Sequence, residues 1–133
     1  MLKLLGLVFC AATTLAGCMT SDYSSDTVEV QQEKSSPDDK FIASSFYCEG
    51  GGAAGYSYQN ITLRRAGEEL NPRDGLLGKH KTWSGFSEIE FRWIDESNLE
   101  ISYKQHQSPE LRDQNSVRID SKYGIQIHYM VTN

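Results

Sequence analysis

Three runs of residues alternate apolar and polar side chains with a period of two. This alternation constrains the fold more than any other feature of the 133-residue chain. Ile89, Phe91 and Trp93 interleave with Glu88, Glu90 and Arg92. Leu99, Ile101 and Tyr103 interleave with Glu100, Ser102 and Lys104, and Ile125, Ile127, Tyr129 and Val131 with Gln126, His128 and Met130. Successive side chains of a strand point to opposite faces, so each run reads as a half-buried antiparallel strand with one wet face. Asp95-Glu96-Ser97-Asn98 is a polar turn of hairpin length between the first two runs. Asp120 to Gly124 plays the same part before the last run, with Val117 and Ile119 on the inner face of its partner. Two earlier strands are expected. Phe41 to Glu49 is apolar on both faces (Ile42, Phe46 and Cys48; Phe41, Ala43 and Tyr47), as a central strand is. Tyr56 to Arg65 carries Ile61 and Leu63 on one face and Tyr56 and Tyr58 on the other, and the Gly-rich stretch 50–55 joins the two strands. No window of eleven or more residues has a helical stripe. The expectation is an all-β domain over 37–133, a single small antiparallel sandwich or partial barrel of about six strands.

The N-terminus reads as an address. Met1-Leu2-Lys3, the apolar run Leu4 to Cys10 and the small residues before Cys18 have the order of a secretory signal peptide. The apolar run is too short for a transmembrane helix, which needs about 20 residues. Leu15-Ala16-Gly17-Cys18 resembles the lipobox of bacterial lipoproteins. That resemblance implies cleavage after residue 17, a lipid on Cys18 and attachment to a membrane. In a double-membrane envelope, Met19 in place of an Asp after Cys18 implies the periplasmic face of the outer membrane. In a host with one membrane, the same anchor implies the outer face of the cell membrane. Residues 18–36 are then the lipidated N-terminus and a solvated tether rich in Ser, Thr, Asp, Gln and Glu. With Cys10 discarded and Cys18 lipidated, Cys48 is the remaining thiol. Its strand parity with Phe46 and Ile42 predicts a buried, apolar role.

The composition excludes several function classes. Lys+Arg 13 against Asp+Glu 18 gives a formal charge of −5, the wrong sign for a nucleic-acid binder. The Gly-rich stretch lacks the Lys-Ser/Thr of a phosphate-binding loop and precedes a strand. His80, His106 and His128 are far apart in sequence and make no metal-ligand spacing, so no metal or cofactor is expected. Trp83-Ser84-Gly85-Phe86-Ser87 is not a nucleophile elbow. The expectation is a non-enzymatic binding or structural module, with an enzyme acting on envelope polymers as the competing class. The most unusual segment is 64–86, long, basic and Gly-punctuated. Within it, Arg73, Lys79, His80, Lys81 and Trp83 are the candidate partner-binding residues, toward an anionic envelope component or a protein partner.

Ser36-Pro37-Asp38-Asp39-Lys40-Phe41-Ile42-Ala43, Gly51-Gly52-Ala53, Tyr56-Ser57-Tyr58-Gln59 and the run Ile89 to Ile101 stand in a recognisable order. Over residues 36–104 the chain resembles a family of small, membrane-anchored bacterial β domains to which no activity is assigned. Asp39 replaces the Gly usual in the opener. The chain is also similar to periplasmic lysozyme inhibitors, which are short β-barrel lipoproteins with a Tyr-x-Cys opening matched by Phe46-Tyr47-Cys48-Glu49-Gly50. It lacks the second Cys those inhibitors pair with the first, and it has only Ser84-Gly85-Phe86 where they carry a longer Ser-Gly loop.

Overall fold

The computed structural model describes residues 26–51, 55–78, 85–114 and 118–132. Among these, strands dominate: β1 Thr27–Ser35, β2 Phe41–Gly50, β3 Tyr56–Arg65, β4 Phe86–Asp95, β5 Asn98–Gln105, β6 Ser121–Lys122 and β7 Ile125–Thr132. One short helix, α1 Pro109–Gln114, follows β5. The strands form two sheets, β1-β2-β3 and β4-β5-β7-β6, which are packed face to face and not closed into a barrel. The all-β sandwich expected from the alternation is the observed fold.

The inner faces obey the period-two reading except at the end of the last strand, where Val131 is exposed because the strand runs past the core. Ile89 and Phe91 of β4, Leu99, Ile101 and Tyr103 of β5, and Ile125 and Ile127 of β7 are buried in one cluster. Ala43, Ile61 and Leu63 from the first sheet complete that cluster. β2 is the central strand of its sheet, and both its faces are covered. Ala43 faces the other sheet, while Phe46 and Cys48 pack with Tyr58 in a second cluster on the opposite face, with Tyr56 and Leu70 against it. A large apolar side chain gains roughly 1.5–3 kcal/mol on full burial. Two clusters on two faces therefore let a small sheet carry more than a one-sided one.

Four expectations need correction. Residues 27–35 are not tether. They form β1, antiparallel to β2 from Thr27↔Glu49 to Ser35↔Ile42, with a bulge between Val30 and Gln32. Nearly all of β1 is exposed, so it has no apolar stripe to announce it. The described strands number seven rather than six, and the domain begins near residue 27 rather than 37. The sheets are not wholly antiparallel, because β5 and β7 pair in parallel, from Asn98↔Gln126 to Lys104↔Thr132. The last hairpin is shorter than expected: β6 has two residues, and its turn is Tyr123-Gly124. Both turn residues have positive φ, 54° and 79°, as the tight hairpin turn matching strand twist demands. Tyr123 is an unusual residue there. Its ring stacks on Phe41 at 5.7 Å and lies under the Arg65 guanidinium at 4.5 Å, contacts that offset the strained backbone. Ile119 packs against the core as expected, while Val117 lies outside the described residues.

Two seams join the sheets. On one side, residues 75–77 lie beside β3. The buried amide of Asn60 donates to Leu77 O at 2.7 Å and accepts from Ile61 N and Leu77 N. A Cβ on Gly75 would collide with this amide, so the residue has to be glycine. Leu76 O then accepts from Ile119 N, which leads toward β6 and β7. On the other side, Lys34 of β1 donates to Phe91 O at 2.9 Å, and Trp93 Nε1 returns a bond to Lys34 O at 3.0 Å. Gln32 reaches Glu90 on the same side.

The edge position of β1 is checked by amide hydrogen exchange. Its amides paired to β2 should exchange more slowly than in an unstructured peptide of the same sequence. Exchange at the peptide rate throughout 27–35 would return this segment to the tether.

Candidate functional site

The sequence-predicted site lies mostly outside the described residues. Of its members, Arg73 alone falls among the described residues. Lys79, His80, Lys81 and Trp83 lie outside them, as does the lipidation candidate Cys18. Arg73 is exposed on the turn 71–74, where its N–H donates to Asn71 Oδ1 at 3.0 Å. Its charge acts on Tyr56, slightly opposing the effect of Asp26 there.

On each outer face one arginine pairs with a glutamate. Arg64 is held by Glu33 at 3.0 Å and by Ser44 at 2.7 Å on the first sheet. Arg92 grips both oxygens of Glu100 on the second. Bonds from Arg64 and Ser44 hold the Glu33 carboxyl below the usual range, and the Arg92 bond does the same for Glu100. Asp95 is lowered by Asn98 and by the Ser97 N–H at the β4–β5 turn. These are stabilised carboxylates, the opposite of a general acid tuned upward. His128 is exposed on the outer face of β7, as expected, with Nε2 2.9 Å from Asn98 Oδ1.

The second cluster is a phenol–thiol group. Tyr56 donates to Asp26, and that bond pushes its phenol up to about 12. Burial, and then the neighbouring Cys48 thiol, push Tyr58 upward as well. Cys48 is fully buried, as expected, but on the face opposite the main core. Among the described residues no cluster of His, Cys, Asp or Glu is built to hold a metal.

Among the described residues, three surface hollows can be compared. One, of about 540 Å³, is a wide opening at the β4–β5 turn, lined by Pro37 and Ile94 to Asn98. Another, of about 220 Å³, is lined by Glu90, Phe91, Arg92, Glu100 and Ser102, and the Arg92–Glu100 pair cancels its charge. The third differs in kind. It measures about 240 Å³ and lies where β5 and β7 end, lined by Lys104, Gln105, His106, Gln107, Arg112, Val131 and Thr132. Among the described residues its lining holds a lysine, an arginine, an imidazole, two amides and a hydroxyl. Glu88 meets Lys104 at 3.2 Å in an exposed pair. Glu88 gets there because a bulge in β4 gives it φ 49° and breaks register between Ser87 and Glu90. His106 Nδ1 accepts from Ser108 N at 3.0 Å, so the neutral ring carries its proton on Nε2 and presents a donor. Its own N–H donates to Gly85 O, at the point where the chain returns from the basic segment 79–84. Such a set of donors can hold an anion.

The hollow is not legible in the sequence because its basic side chains come from three places: a strand end, the loop after it, and a helix. None stands in a charge run. The one available signal was Lys104-Gln105-His106-Gln107, a polar stretch ending an alternating strand.

No protein-family model matches the chain, and neither the curated proteins nor the solved structures searched contain a match.

Cys48 should react slowly with thiol reagents in the folded protein and rapidly once unfolded. Fast labelling of the native state would contradict its burial. Glu33 gives a pH signature. Its folded-state carboxyl is lowered, so its stabilising effect is complete above the ordinary glutamate range and is lost as pH falls through the lowered folded value. Thermal melts of wild type and Glu33→Gln should therefore differ at neutral pH and converge in acid. A gap independent of pH would show that the carboxylate is not responsible.

Proposed function

We propose that this chain is a lipid-anchored envelope protein whose β domain is a non-enzymatic binding module, and that its ligand is anionic. One observation carries the reading: Lys104, His106 and Arg112 line one open hollow on a chain of net charge −5, and Glu88 is the acid paired with this group, through Lys104. Two hydrogen-bonding cations suit a phosphate or carboxylate group, with Gln105, Gln107 and Thr132 available for the remainder of the ligand. The lowered carboxylates support a binding role over an acid–base enzyme. The resemblance of Leu15-Ala16-Gly17-Cys18 to a lipobox supports attachment to a membrane, and Met19 favours the periplasmic face of an outer membrane.

The test uses the mature chain made without its lipid, titrated with inorganic phosphate and followed by NMR. Shifts should concentrate at Lys104, His106, Gln107 and Arg112. Lys104→Ala with Arg112→Ala should weaken binding about tenfold or more, since a hydrogen bond to a charged group is worth roughly 1.5 kcal/mol or more and 1.4 kcal/mol is a factor of ten. Binding unchanged in the double variant, or shifts elsewhere only, would remove the hollow from the function.

A further inference from the structure

The strand directions place the hollow and the start of the domain at one pole of the sandwich. Contacts across the sheets pair Gln32 with Glu90 and Lys34 with Phe91 and Trp93, so β1 and β4 rise together. The far pole is marked by Pro37 beside the turn 94–98 and by Phe41 and Arg65 against Tyr123. The near pole therefore collects the start of β1, the end of β2, the starts of β3 and β4, and the ends of β5 and β7. Asp26, held by the Tyr56 hydroxyl, is where the N-terminal chain joins this pole. Lys104, His106 and Arg112 line the hollow at the same pole.

The length of chain before Asp26 then limits orientation. From Cys18 to Asp26 there are eight peptide steps. At about 3.3–3.6 Å each they reach at most about 26–29 Å, whatever their conformation. A flexible coil of that length averages about 14–17 Å. The ten-residue strand β4 alone is about 31 Å long at a rise of about 3.4 Å, and turns extend the sandwich beyond it. An eight-step tether cannot run the length of the domain, so a chain anchored at Cys18 cannot stand with its far pole on the membrane. A tether of 18 residues would have allowed either pole.

We propose that the near pole docks on the headgroup layer of the membrane that holds the lipid, with Lys104 and Arg112 against lipid phosphates. This rests on the lipid-anchor reading and supplies the source of the anion proposed for the hollow. The attraction is local. Asp26, Glu49 and Glu88 lie at the same pole, so the pole is not uniformly basic, and a lipid phosphate would replace Glu88 as the partner of Lys104. Short-range phosphate contact, held in register by the tether, is the mode that this charge distribution fits.

The experiment uses the full lipidated chain in phosphatidylglycerol-containing vesicles that carry a headgroup quencher. A fluorophore is placed in turn at Glu49→Cys, exposed on the near pole outside the hollow, and at Ser97→Cys, on the far one, with the buried Cys48 left in place. The label at 49 should be strongly quenched and the label at 97 left near background. Flotation with the vesicles reports the anchor separately. Equal quenching of both labels in a chain that floats would overturn the orientation and leave the hollow to a soluble anion. Failure to float would sink the anchor and the docking together. Adding Lys104→Ala and Arg112→Ala should reduce quenching at 49 without loss of flotation. Unchanged quenching would overturn the phosphate contact.

Discussion

The reciprocal contact between Lys34 and the β4 strand is the interaction on which the rest depends. Lys34 sends its ammonium to Phe91 O and over the Phe91 ring at 5.0 Å, while its own carbonyl accepts from Trp93. Beyond its ladder to β2, this exposed edge strand has few contacts to hold it to the second sheet. Its side chains are nearly all in water, and its bulge weakens the ladder to β2. Through Lys34, β1 becomes part of the sandwich instead of an extension of the N-terminal chain. That single change moves the start of the domain by about ten residues. It also turns a long tether into a short one.

The opposite seam is made differently. There a buried side-chain amide stands in for strand pairing, with Asn60 serving residues 75–77 and Gly75 leaving room for it. A buried amide left unpaired would cost roughly 1–3 kcal/mol, so the seam is specific as well as cohesive. Between the two seams the main core fills from both sheets, while Phe46, Cys48 and Tyr58 fill the far side of β2. The sandwich thus has one polar clamp along each side and an apolar centre. On each outer face an arginine pairs with a glutamate, as Glu33–Arg64 and Arg92–Glu100.

Against that background the end of β5 stands out. The parallel pairing of β5 and β7 sends both strands toward the same pole, so Lys104 and Thr132 finish side by side. An antiparallel partner would have put a strand start and its turn there. The crossover from β5 to β7 then has to return along the domain, and its first part supplies His106, Gln107 and Arg112 to the same hollow. The cation cluster is thus a consequence of topology, which also places it at the pole where the N-terminal chain enters.

What the sequence determined by itself is which side of each strand is wet. The alternation in Ile89 to Trp93, Leu99 to Tyr103 and Ile125 to Tyr129 assigns inner faces correctly, because a two-residue period is a local property of the backbone. The two-sided apolar character of Phe41 to Cys48 likewise shows a central strand, and it shows that Cys48 is buried. The tertiary structure alone decided who pairs with whom. Period-two alternation does not distinguish a parallel neighbour from an antiparallel one, so β7 beside β5 was not legible. Nor was β1, whose place rests on Lys34 and on backbone pairing rather than on apolar side chains. The hollow was hidden for the same reason. Lys104, His106 and Arg112 are unremarkable where they stand in the chain, and only the meeting of two strand ends and a crossover gives them a common target.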